Sequence, residues 1–159
     1  MKWRFFALLS IFFYINCHTK KSSVVEKIQK PLEEMAAKWH HYLNRFQQWD
    51  STQQQLNLTT LRYELQGLLY EIEIIFIPPG DSLNWVAGQY VAAMYFDMSW
   101  NELPEFIKAM NSKDSVVAKS IKSKMELKEK KAIDYYLKNI KPANKYNADY
   151  WNRHILKYH

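Results

Sequence analysis

The amino-acid sequence predicts an all-α protein, a helical bundle of about four main helices with one or two short ones. Three observations lead to this fold class. Apolar residues recur at intervals of three and four along several segments, which is the period of one face of an α-helix. The 159 residues include three glycines and five prolines, so few positions break a helix. The connections between segments are short, which favours near-antiparallel helices that cross at a small angle.

The first predicted helix begins near Ser23 and carries an apolar stripe with heptad spacing. Ser23 and Glu26 form the capping-box pattern that starts many helices. Pro31 leaves two alternatives open: one kinked helix, or a second helix that begins at this proline with Glu33 and Glu34 in its first turn. The stripe consists of Val25, Ile28, Leu32, Met35, Trp39, Tyr42, Phe46 and Trp49.

The second predicted helix runs from about residue 52 to residue 77 and ends at the Pro-Pro-Gly sequence of residues 78–80. Residues 72–77 also fit a strand, because they alternate and are rich in isoleucine. The apolar stripe continues in register through them, which favours helix. Its members are Leu58, Leu61, Leu65, Leu68, Ile72 and Ile75.

The third predicted helix begins at Asp81 or Ser82 and extends to about Phe96. It has no Lys, Arg or Glu from Leu83 to Phe96, so we expect it to be largely buried. Small residues between its large ones permit close approach of neighbouring helices.

Two more helices complete the predicted bundle. Ser99 and Glu102 repeat the capping-box pattern and predict a short helix to about Met110. Ser112 or Asp114 then begins a long lysine-rich helix to about Asn139, before a final amphipathic segment. The thinner apolar face of this helix, which Lys128 interrupts, consists of Val117, Ile121, Met125, Ala132, Tyr136 and Ile140.

The first sixteen residues predict a signal peptide. Lys2 and Arg4 precede an uncharged run of eleven residues, 5–15. A bilayer-spanning helix needs roughly 20 apolar residues, whereas the core of a signal peptide needs about 7 to 15. The end of this run, Tyr-Ile-Asn-Cys at 14–17, contains the single cysteine of the chain and resembles the lipobox of bacterial lipoprotein precursors.

This resemblance implies that the peptide is cleaved after Asn16 and that Cys17 carries a diacylglyceryl group on its thiol. Residues 17–23 would then be a lipidated polar tether, and residues 24–159 a single helical domain. The expected location is the cell envelope, attached to a membrane. The outer membrane is favoured because His18 is not the aspartate that signals inner-membrane retention in some bacteria. The alternative is an unmodified thiol after an ordinary signal peptide or a short anchor.

Removal of the leader leaves 20 basic and 16 acidic residues, a net charge of +4, and the excess is concentrated after Ser112. In an exported protein such a surface favours an acidic protein, an acidic glycan or anionic lipid head groups rather than nucleic acid. The alternative is a solvated lysine face. The candidate interaction surface consists of Lys119, Lys122, Lys124, Lys128, Lys130 and Lys131.

Motifs for catalysis, metals and cofactors are absent from the sequence. The five histidines lack the spacing of a zinc site, and there is no haem-attachment sequence, nucleophile elbow or phosphate-binding glycine loop. We therefore expect no metal, no cofactor and no enzymatic activity.

The segment 39–49 (WHHYLNRFQQW) is the most suggestive part of the sequence. Its aromatic residues have core spacing, while its amides and Arg45 suit stacking and hydrogen bonding to a sugar or peptide. The leading hypothesis is a non-enzymatic interaction or structural module with a basic C-terminal face. The alternatives are a carrier of a small ligand in an aromatic pocket between helices and an enzyme with a nonstandard site.

Overall fold

The computed structural model describes residues 24–77 and 82–139, and the regular structure within them is entirely helical, which confirms the predicted all-α bundle. The predicted cleavage after Asn16, the lipidation of Cys17, the cap at Ser23 and the C-terminal amphipathic segment lie outside these residues. The helices are α1 (Val24–Arg45), α2 (Ser51–Glu73), α3 (Ser82–Trp100), the short α4 (Glu102–Asn111) and α5 (Ser115–Asn139), and a 3₁₀ turn (Phe46–Gln48) follows α1.

The bundle is built around α3, which contacts each of the other four α-helices. α1 and α3 run parallel, because Ile28 faces Gly88 near their starts and Trp39 packs on Tyr95 further along. α2 and α5 run in the opposite direction. The two heptad stripes predicted on α1 and α2 supply much of the core, because apolar residues at this spacing share one helix face.

Gly88 allows α1 and α3 to pack closely. A Cβ atom at this position would overlap the Cγ2 atom of Ile28, and Ile28 is fully buried. The small residues Ala87 and Ala92 are also buried on α3. The predicted role of small residues on this helix is therefore confirmed at its contact with α1.

Pro31 lies inside α1, which continues through it as one helix. Of the two alternatives that the sequence left open, the single helix is therefore correct. Pro31 is buried, and the side chains of Ile28 and Leu32 in the same turn of the helix belong to the core. The loss of one backbone hydrogen bond is tolerated because tertiary packing supplies most of a helix's stability.

The end of α2 differs from its prediction. The helix ends at Glu73, and residues 75–77 are irregular. The amide of Ile75 bonds to the carbonyl of Ile72 in a tightened last turn, and the indole Nε1 of Trp85 donates to the same carbonyl at 2.9 Å. In a longer α2, this carbonyl would accept a hydrogen bond from the helix's own backbone. Here the indole from α3 donates to it instead. Neither the helix nor the strand alternative holds for residues 75–77.

α3 is longer and less buried than predicted. It extends to Trp100, and Leu83, Val86 and Tyr90 are exposed. Ser99 lies in its last turn, where its hydroxyl donates to the carbonyl of Phe96, so the predicted capping box with Glu102 is wrong. An uncharged helix sequence therefore does not imply burial on all sides.

Within residues 24–77 and 82–139, no helix combines the length and apolar character needed to cross a bilayer.

Candidate functional site

An open groove of about 550 Å³ lies at the end of the bundle where the 3₁₀ turn, α4 and the start of α5 meet. Trp49, Met110 and Ala118 give it an apolar floor, and Phe106 lies buried beneath them. Ala109 is a further apolar residue of the lining, and the others are polar or charged. They are Gln47, Gln54, Asn111, Lys113, Asp114, Ser115, Lys119 and Lys122.

The aromatic wall of the groove comes from the segment 39–49. The ring of Trp49 meets Phe46 edge to face, with centroids 5.3 Å apart, and lies 5.9 Å from the ring of Tyr42. The guanidinium of Arg45 lies 5.6 Å from the Trp49 centroid. Trp39 and Phe46 are buried, which confirms the core interpretation for these two residues. Trp49 is half-buried and serves both the core and the groove.

A buried amide connects α2 to α4 beside the groove. Gln54 is 4% exposed, and its Nε2 donates to the carbonyl of Phe46 at 2.8 Å. Its Oε1 accepts from the side-chain amide of Asn111, also at 2.8 Å. Because both its donor and its acceptor atoms are bonded, the side chain of Gln54 holds the 3₁₀ turn and α4 in place beside the groove.

A tight turn between α4 and α5 places Lys113 at the groove. After α4, the amide of Lys113 bonds to the carbonyl of Met110 and that of Asp114 to the carbonyl of Ala109, which is the Schellman pattern. Lys113 takes the left-handed backbone conformation of that motif, with φ of 58°. Asp114 accepts from the amide of Val117 at 3.0 Å and so begins α5. Of the two predicted starts for this helix, Asp114 is therefore the one observed.

The six lysines of the candidate interaction surface do not share one face of α5. At about 100° per residue, Lys119, Lys122 and Lys130 lie on one flank, whereas Lys124, Lys128 and Lys131 lie on another. Lys119 and Lys122 line the groove, while Lys128 and Lys131 line a separate hollow beside Tyr90. Lys130 is exposed. The structure therefore divides the predicted surface into two regions.

Two lysines of the second flank, Lys124 and Lys128, form ion pairs with a buried carboxylate. Glu102 is 3% exposed, and its Oε1 lies 2.5 Å from Lys128 Nζ and 3.2 Å from Lys124 Nζ. Lys128 also reaches Asp97 at 3.2 Å. The hydrogen bond to Glu102 raises the pKa of Lys128. Lys124 and Lys128 thus neutralise acids within the protein, which leaves less of their charge for a partner.

A second polar cluster lies inside the bundle, where α1, α3 and α5 meet. Glu129 is 1% exposed, and its Oε1 accepts from the hydroxyl of Tyr95 at 2.5 Å. Nε2 of His40 lies 2.9 Å from the same oxygen. Burial, followed by the neighbouring Glu129, raises the pKa of the Tyr95 hydroxyl well above its ordinary value. His41 is exposed, so the two adjacent histidines face different flanks of α1.

The space beside this cluster is small. A cavity of about 60 Å³ adjoins His40, Asn44 and Glu129, enough for about two water molecules. We interpret the cluster as a structural network that fixes how α5 is rotated against α1 and α3. No group of three or more potential metal-ligating side chains occurs among the described residues.

Sequence reasoning missed Glu129 and Glu102, the two buried acids. The signal for Glu129 is its position: it follows Met125 by four residues and precedes Ala132 by three, so it lies on the apolar stripe of α5. A charge at such a position indicates a buried partner. Glu102 carries a comparable signal, because Phe106 and Ala109 follow it by four and seven residues on the same face of α4.

Comparison of the chain with protein-family models, with curated proteins and with solved structures gives no match.

Proposed function

We propose that this chain is a bacterial lipoprotein of the cell envelope, cleaved after Asn16 and acylated at Cys17, whose bundle binds an acidic protein segment in the groove. The proposal combines the lipobox resemblance with one structural observation. An apolar floor at Trp49 and Met110 lies directly beside Lys119 and Lys122. The outer membrane remains the favoured location, and the proposed role is non-enzymatic.

The shape of the groove supports binding of an extended or helical segment. It is an open groove whose lining comes from the 3₁₀ turn, the start of α2, α4 and the start of α5. Binding sites typically offer apolar contact area with a few polar groups that set orientation. Here the half-buried Trp49 offers the contact area, and Gln47 and Asn111 offer the polar groups.

The charges of the groove support an acidic occupant. Three lysines line it, namely Lys113, Lys119 and Lys122, against one acid, Asp114. The carboxylate of Asp114 already accepts a hydrogen bond from the backbone of α5. Lys122 lies 3.9 Å from Glu126, a loose and exposed pair that competes little with a ligand. Complementary charge at a groove sets the choice of partner and the association rate.

The test uses the full chain and synthetic peptides that differ in charge alone. Each peptide carries the same aromatic residues with Glu, Gln or Lys at the polar positions, and binding is followed by fluorescence anisotropy. We expect the Glu peptide to bind most tightly and to weaken as salt rises. The variant Lys119→Glu/Lys122→Glu should abolish this preference. The single variant Lys119→Glu should weaken the preference, and Lys130→Glu is its matched control, because it makes the same single change on the same flank outside the groove. Equal binding of the Lys peptide would contradict the proposal.

A second candidate is a carrier of a small amphipathic anion, favoured by the volume of the groove. About 550 Å³ lies within the usual range of small-ligand sites, about 300–1,000 Å³. A carrier should show a higher melting temperature with aromatic or fatty carboxylates. Trp49→Ala should remove that shift. A rise in melting temperature with the acidic peptides but not with these carboxylates favours the first proposal.

A further inference from the structure

We propose that the end of the bundle where α2 finishes and α3 begins is a membrane-contact surface. Its apolar side chains would lie in the lipid surface beside the acylated N-terminus. This inference rests on the proposed acylation of Cys17. It adds an orientation to the anchored protein, in which one end of the bundle meets the bilayer and the groove faces away from it.

The start of α1 is at this same end of the bundle. Ile28 in α1 packs against Gly88 in α3, and Trp85 in α3 bonds to the carbonyl of Ile72 near the end of α2. The first turns of α1, the last turn of α2 and the first turns of α3 are therefore neighbours. Val24, where α1 begins, therefore belongs to this end of the bundle.

Large apolar side chains are exposed at this end. Phe76 is 81% exposed, Leu83 65% and Ile74 63%. Residues 74–77 contain no charged side chain. Each large apolar group that moves from water into lipid contributes favourable transfer free energy, about 25 cal/mol per Å² of area removed from water. Clustered exposure of this kind marks protein or membrane contacts.

The length of the tether favours a bilayer as the partner of this surface. Cys17 precedes Val24 by seven residues, which span at most about 25 Å when extended. A lipid on Cys17 therefore keeps this end close to the bilayer. Lys27 and Lys30 are exposed on the first turns of α1, where they can reach lipid head groups. Exposed acids at Glu26, Glu71 and Glu73 limit the contact to shallow insertion of the apolar residues.

The test exploits the single cysteine of the sequence. Phe76→Cys is introduced into the full chain, which is expressed in a bacterium, extracted and reconstituted into phosphatidylethanolamine–phosphatidylglycerol vesicles. A nitroxide label on the introduced thiol reports collisions with oxygen, which concentrates in lipid, and with a water-soluble nickel chelate. The matched control is Val116→Cys, a residue that is 77% exposed at the groove end. Both positions are exposed, so neither change disturbs the core.

At position 76 we expect collisions with oxygen to exceed those with the nickel chelate, and at position 116 we expect the reverse. A water-like ratio at both positions would overturn the membrane-contact surface while leaving the anchor intact. Mass spectrometry of the labelled protein distinguishes the two proposals. One label on a chain whose mass shows that it begins at Cys17 means that the thiol of Cys17 is blocked. Two labels show that it is free, which overturns the anchor and, with it, the orientation inferred here.

Discussion

At the scale of single residues, two buried acids determine how α5 is held. Glu129 is bonded by Tyr95 and faces His40, and Glu102 is bonded by Lys124 and Lys128. A carboxylate buried without partners is costly, so each acid requires these neighbours. Because these partners are needed for the fold, substitutions at them cannot be used to probe function alone. Charge reversal at Lys128 would disturb the fold as well as any binding.

Alkaline pH should expose the role of Tyr95. Because its pKa is raised in the folded state, the unfolded chain loses this proton first, above its ordinary pKa of 10.0. The stability contributed by the buried hydroxyl is therefore present below pH 10 and is lost as pH rises further. The expected slope is about 1.4 kcal/mol per pH unit for one tyrosine. Denaturant unfolding between pH 8 and about 11 measures it. Tyr95→Phe should make the decline shallower, and Tyr136, whose pKa burial also raises, accounts for part of the slope that remains. The exposed Tyr63→Phe is the control and should leave the slope unchanged.

Lys128→Met should destabilise the protein by about 2 kcal/mol. This is less than the 3–5 kcal/mol typical of a broken buried pair, because Lys128 is partly exposed and Lys124 still neutralises Glu102. Chemical denaturation measures the loss, with Lys130→Met as the control. The double variant Lys128→Met/Glu102→Gln should recover part of the loss. Additive losses would show that the two side chains are not coupled.

At the scale of elements, the bundle depends on how closely α1 approaches α3. Gly88 fixes this distance, since the buried Ile28 occupies the space that a Cβ would need. Gly67, in the middle of α2, has an open environment, with no atom within 4 Å of a Cβ placed there. The two helical glycines therefore have opposite roles in the same fold.

Alanine substitutions at these glycines should change stability in opposite directions. Gly88→Ala should cost about 1–3 kcal/mol, because overpacking outweighs the gain in helix propensity. Gly67→Ala should stabilise by about 0.5–1 kcal/mol, because alanine loses less conformational freedom on folding. Thermal unfolding followed by circular dichroism compares the two variants directly. Stabilisation by both would show that α1 and α3 pack less closely than described.

The helices were predictable because each is encoded locally. The stripes of α1 and α2, and the caps and prolines between segments, follow from residues close in sequence. The end of α2 was not predictable, because Trp85 on another helix bonds its last turn. The candidate site was also only partly predictable from the sequence. The segment 39–49 was identified from sequence, but its contact with α4 and the start of α5 depends on the tertiary fold. The capping box of Asp50 and Gln53 on α2, by contrast, follows a sequence pattern that was overlooked.

At the scale of the whole molecule, the two proposed surfaces lie at opposite ends. The groove lies where α1 ends and α5 begins, and the apolar surface lies where α1 begins. α1 has 22 residues, so these ends are about 33 Å apart. A lipid at Cys17 would therefore place the groove away from the bilayer, accessible to a partner in the envelope.

The acylation of Cys17 is the claim on which this orientation depends, and intact-mass spectrometry tests it directly. The full chain is expressed in a bacterium and purified from the membrane fraction, with Cys17→Ser as the control. We expect a mature protein whose first residue is Cys17 and whose mass exceeds that of residues 17–159 by the attached lipid. A chain that retains Met1, or that begins elsewhere with an unmodified Cys17 thiol, would contradict the account.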